Sequence, residues 1–468
     1  MSNSILPPKS DLINNLNDIY LYSSTNNQNF KFTSDQLKNI KKFLLDMWNE
    51  KNVNFTENKK SLHYACRFYP KNIGFYKFKN KSIDKELFNM FSIAKKIKDL
   101  HFHNITDIIH LGTGGSNLGP QLIYDCFKHN ISTPKCHFIS NLDPSQLSNL
   151  LKTLNPSKTL VFTVSKSFTT QETITNLERL RSWFKNTHSC SNYINKIYAV
   201  TSSYELAIKN HFPKENIVFF NENIGGRFSI WSAANILSAV VFGHKLFNEF
   251  LSGGHSIDEQ VYNNFEQSIP ISLSEISFFS RTKNNIYSHC IVPYSDDLKL
   301  LPLYLQQLLM ESNGKSINDQ GKFTQSPSTN VFGYSGTDAQ HSFFQSLHQS
   351  TLKTSIDLIS FKRLNDNYHY IDKDLDDYAF NLLNLNCYAQ YETFKNGDKN
   401  HKTKNIHHSI IGEKIVNYLM FDQLNFYTLG QIISIYEYKT IIEAALSKTN
   451  PFDQFGVDLG KKIVKTLI

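Results

Sequence analysis

A repeated pattern constrains the fold of this chain more than any other feature: a short apolar run, a polar or glycine-rich turn, and then an amphipathic helical segment. The pattern occurs between residues 107 and 219 and begins again between residues 286 and 361. Short apolar runs that alternate with helical segments are typical of βαβ units, whose strands form a parallel sheet. The sequence therefore predicts an α/β fold with two parallel-sheet domains.

The order of the patterns divides the chain into five predicted segments. These are an N-terminal helical segment (1–95), a first domain (96–244), a helical connection (245–285), a second domain (286–425) and a C-terminal helical arm (426–468). We expect the first domain to close with a long apolar helix within residues 217–243.

The composition limits the ligands and the location that we expect. The 468 residues include 49 Lys and Arg and 41 Asp and Glu, so the net charge of +8 favours anionic ligands. No continuous basic block occurs, which makes nucleic-acid binding the weaker alternative. The six cysteines lack CxxC spacing and are expected to be buried thiols rather than disulfides or zinc ligands. Since neither a signal-peptide pattern nor a membrane-length apolar run is present in the sequence, we expect a cytoplasmic protein.

A hydroxyl-rich stretch, SKSFTTQET at residues 165–173, directly follows the apolar run TLVFTV. Thr169 and Glu172 have the spacing of a capping box, so a helix is predicted to begin at Thr170. Backbone N–H groups at a helix start, together with five hydroxyl groups and one lysine, suit a phosphate group. An ordinary Ser/Thr-rich helix cap without a ligand is the alternative that the local sequence leaves open.

A glycine-rich turn, GTGGSNLGP at residues 112–120, follows an earlier apolar run. It comes close to the dinucleotide-binding pattern GxGxxG, and Asp143 could serve as the acid of that pattern, but the sixth position is Asn117. We therefore expect either that its backbone approaches a ligand smaller than a dinucleotide, or that it is a tight turn without a ligand.

Two ionisable side chains of the second domain are candidates for acid–base chemistry. Glu311 lies near the end of a predicted helix, where a negative charge opposes the helix dipole. A general base or a surface glutamate would explain it. His341 follows Thr337 and Gln340, which have capping-box spacing, so it is predicted in a first helical turn. The positive helix end would favour a neutral imidazole there, whereas Asp338 would oppose that effect, and a structural histidine is the alternative.

Two cationic side chains complete the set of candidates. Arg227 lies between a Gly-Gly pair and a predicted helix start, where it could bind an oxyanion. Lys461 lies on the C-terminal helix three residues after Asp458, and a solvated ion pair is its alternative interpretation. The histidines of the polar loop at 396–408 are weak support for metal binding, and no metal site is predicted.

Taken together, these motifs closely resemble those of the phosphoglucose isomerase family. The resemblance extends in order over nearly the whole chain, through FTENKKSLHYACR (55–67), LGTGGSNLGP (111–120), SKSFTTQET (165–173), IGGRFSIWSA (224–233), LQQLLMESNGKS (305–316), GTDAQHSFFQSLHQ (336–349), LNFYTLGQIISIYEYK (424–439) and NPFDQFGVDLGKK (450–462). It implies two sugar-isomerase (SIS) domains, each an α/β/α sandwich, in a homodimer whose active site lies between the domains and at the subunit interface. It also implies the isomerisation of glucose 6-phosphate and fructose 6-phosphate in glycolysis and gluconeogenesis, without a cofactor.

The family pattern also implies a role for each candidate residue. Residues of the first domain would bind the phosphate and nearby sugar oxygens: Gly115, Ser116, Ser165, Lys166, Ser167, Thr169 and Thr170. Gln307 and Gln454 would contact the substrate. The catalytic set, each member with one role, would be Glu311 as the base that moves a proton from C2 to C1, Arg227 as the stabiliser of the enediolate, and His341 (from the neighbouring subunit) with Lys461 as assistants in ring opening.

The chain also departs from the family pattern. Asn117 stands where Asp is usual, Ser167 where Thr is usual, Tyr334 where Glu is common and Asp338 where Asn is common. None of these changes removes a proposed catalytic residue, but Asp338 could alter the proton affinity of His341. A non-catalytic sugar-phosphate sensor would lack the base, which is present here. An isomerase of a related substrate, such as mannose 6-phosphate, is an alternative that the sequence leaves open.

Overall fold

The structure, a computed structural model, describes residues 6–16, 18–25, 30–68, 78, 80–131, 134–186, 193–325, 327–365, 368, 370–398 and 405–467. Its strands are β1 (Leu12–Leu16), β2 (Ile19–Ser23), β3 (Asp107–Gly112), β4 (Lys135–Ile139), β5 (Thr159–Val164), β6 (Ile197–Thr201), β7 (Ile217–Phe219), β8 (Ser288–Pro293), β9 (Asn330–Gly333), β10 (Ser355–Phe361) and β11 (Val416–Phe421). Its α-helices are α1 (Ser34–Trp48), α2 (Lys81–His101), α3 (Gly115–Phe127), α4 (Pro144–Thr153), α5 (Gln171–Asn186), α6 (Tyr204–Lys209), α7 (Ile236–Val241), α8 (His244–Asn263), α9 (Ile269–Asn284), α10 (Leu301–Asn313), α11 (Gly336–Gln340), α12 (Phe344–Gln349), α13 (Lys373–Asn396), α14 (Phe426–Ser447) and α15 (Asp458–Leu467).

The chain forms two compact units. The first unit is residues 61–252, and the second unit is residues 1–60 together with residues 253–468. The five-segment division predicted from the sequence stays a prediction about domains.

The first unit contains a five-stranded parallel sheet in the order β4-β3-β5-β6-β7. Every residue of β5 and β6 is buried, as is all of β3 after Asp107, which is typical of a parallel sheet covered on both faces. The chain runs from β3 to β4 on one side and then to β5 on the other side. Ligands of parallel sheets bind at this kind of switch point, outside the carboxyl ends of the strands.

The second unit contains a six-stranded sheet in the order β1-β2-β11-β10-β8-β9. Strands β9, β8, β10 and β11 are parallel, whereas β2 is antiparallel to β11 and to β1. The hairpin of β1 and β2 lies in the N-terminal segment, for which the sequence predicts only helix. Strand β2 is buried because it pairs with β11, with Leu21 opposite Leu419. A partner so remote in sequence cannot be recognised from the residues of the hairpin.

The long apolar helix expected within residues 217–243 is not formed, so that prediction is wrong. Two 3-10 turns, Gly226–Trp231 and Ala233–Asn235, precede the short helix α7. The hydroxyl group of Ser229 donates to the carbonyl of Gly226 at 2.7 Å, and that of Ser232 donates to the carbonyl of Ser229 at 2.8 Å. Polar side chains that bond to the local backbone in this way compete with α-helical hydrogen bonds.

Cys190 lies outside the described residues, and the other five cysteines are free thiols, all buried except the half-buried Cys136. Within the part of the chain that the structure describes, each helix is too short or too polar to span a bilayer.

Candidate active site

Two of the predicted site segments lie at the switch point of the first unit. The glycine-rich turn follows β3 and the hydroxyl-rich stretch follows β5, and these strands pair with Gly112 opposite Val164. Because the carboxyl ends of parallel strands meet at one edge of the sheet, the two segments are neighbours there. Both therefore lie where a ligand of this sheet would bind.

The glycines of the turn are required by contacts within the protein. Gly114 has a φ of +59°, a conformation that glycine adopts without strain. A Cβ atom on Gly115 would lie 2.1 Å from the carbonyl oxygen of Gly226, and one on Gly112 would lie 2.6 Å from that of Ser116. The turn therefore packs on the backbone next to Arg227, and its glycine content by itself does not indicate a ligand.

The hydroxyl groups of the hydroxyl-rich stretch bond to one another around a reversal of the chain. Ser165 Oγ lies 3.1 Å from Thr170 Oγ1, and Ser167 Oγ lies 2.7 Å from Thr169 Oγ1. Phe168, at the centre, has a φ of +54° and a ring buried in the core. This anchor leaves Ser167 and Thr169 exposed, while Ser165 is buried. Helix α5 begins one residue later than predicted.

One short segment of the first unit carries the cationic side chain of Arg227 and accepts a hydrogen bond from that of Lys166. Lys166 Nζ donates to the carbonyl oxygen of Ile224 at 3.0 Å. Arg227 is only 3% exposed, and its guanidinium lies 5.5 Å from the ring centroid of Phe228. The glycine-rich turn also contacts this segment, because a Cβ atom on Gly115 would lie 2.5 Å from the backbone nitrogen of Arg227. This arrangement of cations and hydroxyl groups suits an anion such as a phosphate or an enediolate.

A cavity in the second unit contains the predicted base. The cavity has a volume of about 510 Å³, which is within the usual range for small-molecule sites, and Glu311 and Gln454 both line it. Glu311 lies in the last turn of α10. The amide of Gln307, one turn earlier, donates to Glu311 Oε2 at 2.7 Å and so fixes the carboxylate.

Neither His341 nor Lys461 lines the cavity that contains Glu311. His341 is exposed and lies just after α11, whose last residue is Gln340, so its predicted place in a first helical turn is wrong. The argument from the positive helix end therefore does not apply to it. Gln340 donates to the hydroxyl of Tyr294 at 2.9 Å rather than capping a helix. Lys461 is exposed on α15.

Among the described residues, no three or more His, Cys, Asp or Glu side chains are grouped so that they could hold a metal ion. Of the loop histidines, His401 lies outside the described residues, and His407 and His408 lie exposed in the 3-10 turn Ile406–His408.

Comparison with known proteins identifies the family. Residues 23–468 match the family model described as phosphoglucose isomerase. The chain belongs to this family. A glucose-6-phosphate isomerase from Chlorobium phaeobacteroides is 33% identical over an alignment of 450 residues, and the match covers 89% of this chain and 78% of the relative. One from Acinetobacter baumannii is 32% identical over an alignment of 458 residues, and the match covers 93% of this chain and 82% of the relative. The crystal structure of a glucose-6-phosphate isomerase from Chlamydia trachomatis matches with a TM-score of 0.84 and 25% identity, covering 97% of this chain and 88% of that one. The predicted family, fold class and isomerase class are confirmed.

In this phosphoglucose isomerase chain, a lysine that the sequence did not single out supports the cavity. Lys315 Nζ donates to the carbonyls of Glu311 at 3.0 Å and Ser312 at 2.6 Å, and it lies 3.4 Å from the carboxylate of Asp453. The hydroxyl of Thr56 donates to the same carboxylate at 2.6 Å. The lysine thus offsets the negative end of α10, which explains how an acid is tolerated there. Its position four residues after Glu311 was the only sequence signal.

A buried histidine that the sequence also missed supports the glycine-rich turn. His110 on β3 donates from Nε2 to the carbonyl of Ser116 at 2.7 Å. Burial lowers the pKa of His110 to about 4, although this hydrogen bond acts in the opposite direction. The ring is therefore neutral at pH 7 and fixes the backbone carbonyl of Ser116.

Proposed function

We propose that this chain interconverts glucose 6-phosphate and fructose 6-phosphate through an enediolate, with Glu311 as the base. The activity agrees with the family and with the names of the relatives. The observation that supports the base is the Glu311 carboxylate in the cavity, fixed by Gln307 at 2.7 Å. A carboxylate held beside a bound sugar can carry a proton from C2 to C1.

Arg227 is the proposed stabiliser of the enediolate. The proton on C2 is weakly acidic, so its removal leaves a negative charge that a preorganised cation must hold. Arg227 is buried, and a charge acts more strongly where water is excluded. Positioned proton transfer contributes about 10²–10⁴-fold to the rate, so the base requires this second group.

Phosphate binding is assigned to the first unit. The proposed donors come from the glycine-rich turn and from the hydroxyl-rich stretch: Gly115, Ser116, Ser165, Lys166, Ser167, Thr169 and Thr170. Binding of the phosphate, which does not react, orients the sugar for ring opening and for proton transfer. Gln307 and Gln454 are assigned contacts with the sugar.

Ring opening is assigned to His341 and Lys461, because it needs a proton donor and an acceptor at the ring oxygen and the anomeric hydroxyl. Both side chains are exposed, which supports the proposal that His341 completes the site of a neighbouring subunit in a homodimer. The proposed setting is glycolysis and gluconeogenesis in the cytoplasm.

Turnover of fructose 6-phosphate in EDTA tests the proposal. We expect the wild type to remain active and Glu311→Gln to lose on the order of 10²–10⁴-fold in kcat. Glu205→Gln, an exposed carboxylate on α6, is the matched control and should keep wild-type activity. A wild type that binds the sugar phosphate without turnover would contradict the proposal and indicate a sensor.

A further inference from the structure

A buried carboxylate of the first unit, Glu86 on helix α2, holds both ends of the segment that carries Arg227. Its Oε2 accepts a hydrogen bond from the backbone N–H of Asn221 at 2.8 Å, and its Oε1 accepts one from the N–H of Ala233 at 3.0 Å. Glu86 is 3% exposed. Residues 221–233 are called the Arg227 segment below.

Between these two contacts, the Arg227 segment meets the other parts of the proposed phosphate site. The carbonyl of Ile224 accepts the hydrogen bond from Lys166, and the carbonyl of Gly226 lies against Gly115 with no room for a Cβ atom. A displacement of the segment would therefore move the guanidinium of Arg227 relative to both the lysine and the glycine-rich turn.

The surroundings of Glu86 disfavour its charged form. Burial raises the pKa of Glu86 to about 7, and the hydrogen bonds from Ala233 and Asn221 counteract burial only in part. Because this pKa lies above the ordinary value of 4.5, ionised Glu86 lowers the stability of the folded chain as pH rises toward 7. Perturbed ionisable groups of this kind are common at functional sites. A function of the Arg227 segment would therefore explain why the chain has a destabilising carboxyl group at position 86.

We propose that Glu86 is a positioning residue that holds Arg227 where the enediolate forms, through its two hydrogen bonds to the ends of the Arg227 segment. The proposal rests on the proposed function, in which Arg227 stabilises the enediolate. Glu86 acts only through the backbone of the segment, so its removal changes the geometry of the site and none of the groups assigned to it.

The first test is Glu86→Gln, which replaces one acceptor oxygen with an NH₂ donor of nearly the same size. The amide can accept from one backbone N–H but faces the other with a second donor, so one end of the Arg227 segment is released. We expect kcat for fructose 6-phosphate at pH 8 to fall on the order of 10- to 100-fold. KM should change far less, since the hydroxyl groups assigned to the phosphate remain.

Glu275→Gln, in the second unit, is the matched control. Glu275 is also 3% exposed, it accepts a hydrogen bond from the backbone N–H of Phe32 at 3.0 Å, and burial raises its pKa. It differs in two respects: its other oxygen accepts from Lys31 Nζ at 2.8 Å, and the segment that it holds has no proposed site residue. The control should lose thermal stability comparably and keep a kcat close to that of the wild type.

Two ligands separate positioning from general damage to the fold. A five-carbon aldonic acid phosphate carries a carboxylate where the charge of the enediolate develops, whereas a six-carbon alditol phosphate carries no charge there. Glu86→Gln should weaken the first ligand by a factor similar to the loss in kcat and leave the second nearly unchanged. Equal weakening of both ligands, or a kcat no lower than that of Glu275→Gln, would overturn the proposal.

The same measurements keep this proposal separate from the proposed function. A wild type without turnover would overturn the proposed isomerase activity, while the two-ligand comparison would still decide whether Glu86 positions Arg227. If Glu86→Gln does not fold, Glu86→Asp, which keeps the charge but retracts both oxygens, is expected to show the same selective loss.

Discussion

Lys315 illustrates, at the scale of a single residue, how one side chain can serve a helix and a candidate site together. It bonds to two carbonyls at the end of α10, beside Glu311, and it faces Asp453, whose side chain is 6% exposed. Lys315 also lines the cavity. Its charge is therefore expected to contribute both to folding and to the placement of the base.

Lys315→Met keeps an apolar stem and removes this charge. We expect the free energy of unfolding to fall by about 1–3 kcal/mol, because Asp453 loses its cation and the carbonyls lose their donor. Turnover should fall as well, since Glu311 lies at the released helix end. Lys322→Met, at an exposed position, is the control and should change stability by about 0.5 kcal/mol or less. Equal urea denaturation curves for the two variants would contradict the assigned role.

Gly115 offers a steric test of the glycine-rich turn. Gly115→Ala places a methyl group 2.1 Å from the carbonyl oxygen of Gly226, which real Cβ atoms do not tolerate, so the turn or the Arg227 segment must shift. We expect a stability loss of about 1–3 kcal/mol and a large loss of turnover. Gly460→Ala, on helix α15 with open space around its Cβ, should instead be neutral or slightly stabilising in thermal unfolding. Wild-type turnover in Gly115→Ala would show that the close packing is not needed.

At the scale of secondary structure, burial decided what the sequence could predict. Strands β3, β5 and β10 are buried on both faces, so their apolar runs are visible without knowledge of the fold. The hairpin of β1 and β2 depends on pairing with β11, and helix α11 is only five residues long, so a capping-box spacing misplaced His341. Glu86 was invisible because its partners are backbone N–H groups of residues 221 and 233.

A buried polar network joins four elements of the second unit. Asp357 on β10 accepts hydrogen bonds from His289 on β8 at 2.8 Å, from Asn417 on β11 at 2.7 Å and from Tyr436 on α14 at 2.9 Å. Burial would raise the pKa of Asp357, but the charge of His289, the hydrogen bonds from His289 and Asn417, and the charge of Lys439 together lower it to about 2. The network therefore depends on the ionised carboxylate.

The lowered pKa of Asp357 has a defined consequence for acid stability. Its ordinary value is 3.8, so the stabilisation is present above about pH 4 and is lost as the pH falls toward 2. We expect Asp357→Asn to lower the free energy of unfolding at pH 7 by about 3–5 kcal/mol and to flatten the dependence between pH 4 and 2. Asp296→Asn, with its carboxylate 76% exposed, is the control. If denaturant titration at pH 7 shows that Asp357→Asn is as stable as the wild type, this account is contradicted.

At the scale of the whole molecule, the proposed residues of the second unit do not all lie at its one described cavity. The second unit holds Glu311, Gln307 and Gln454 near one cavity, whereas His341 is exposed and outside it. The family resemblance assigns His341 to the neighbouring subunit. Neither composition nor periodicity along one chain carries information about such a proposed contact, because a second copy would supply the partner.

Mixing two inactive variants tests the shared site. In heterodimers of Glu311→Gln with His341→Ala, one of the two sites combines an intact Glu311 from one chain with an intact His341 from the other. Random exchange of subunits should therefore restore about a quarter of the wild-type activity. Glu311→Gln mixed with Arg227→Ala, which are both assigned to one chain, should restore nothing. Size-exclusion chromatography with differently tagged chains would verify that heterodimers form. If they form and the first mixture stays as inactive as the second, His341 acts within its own chain or not at all.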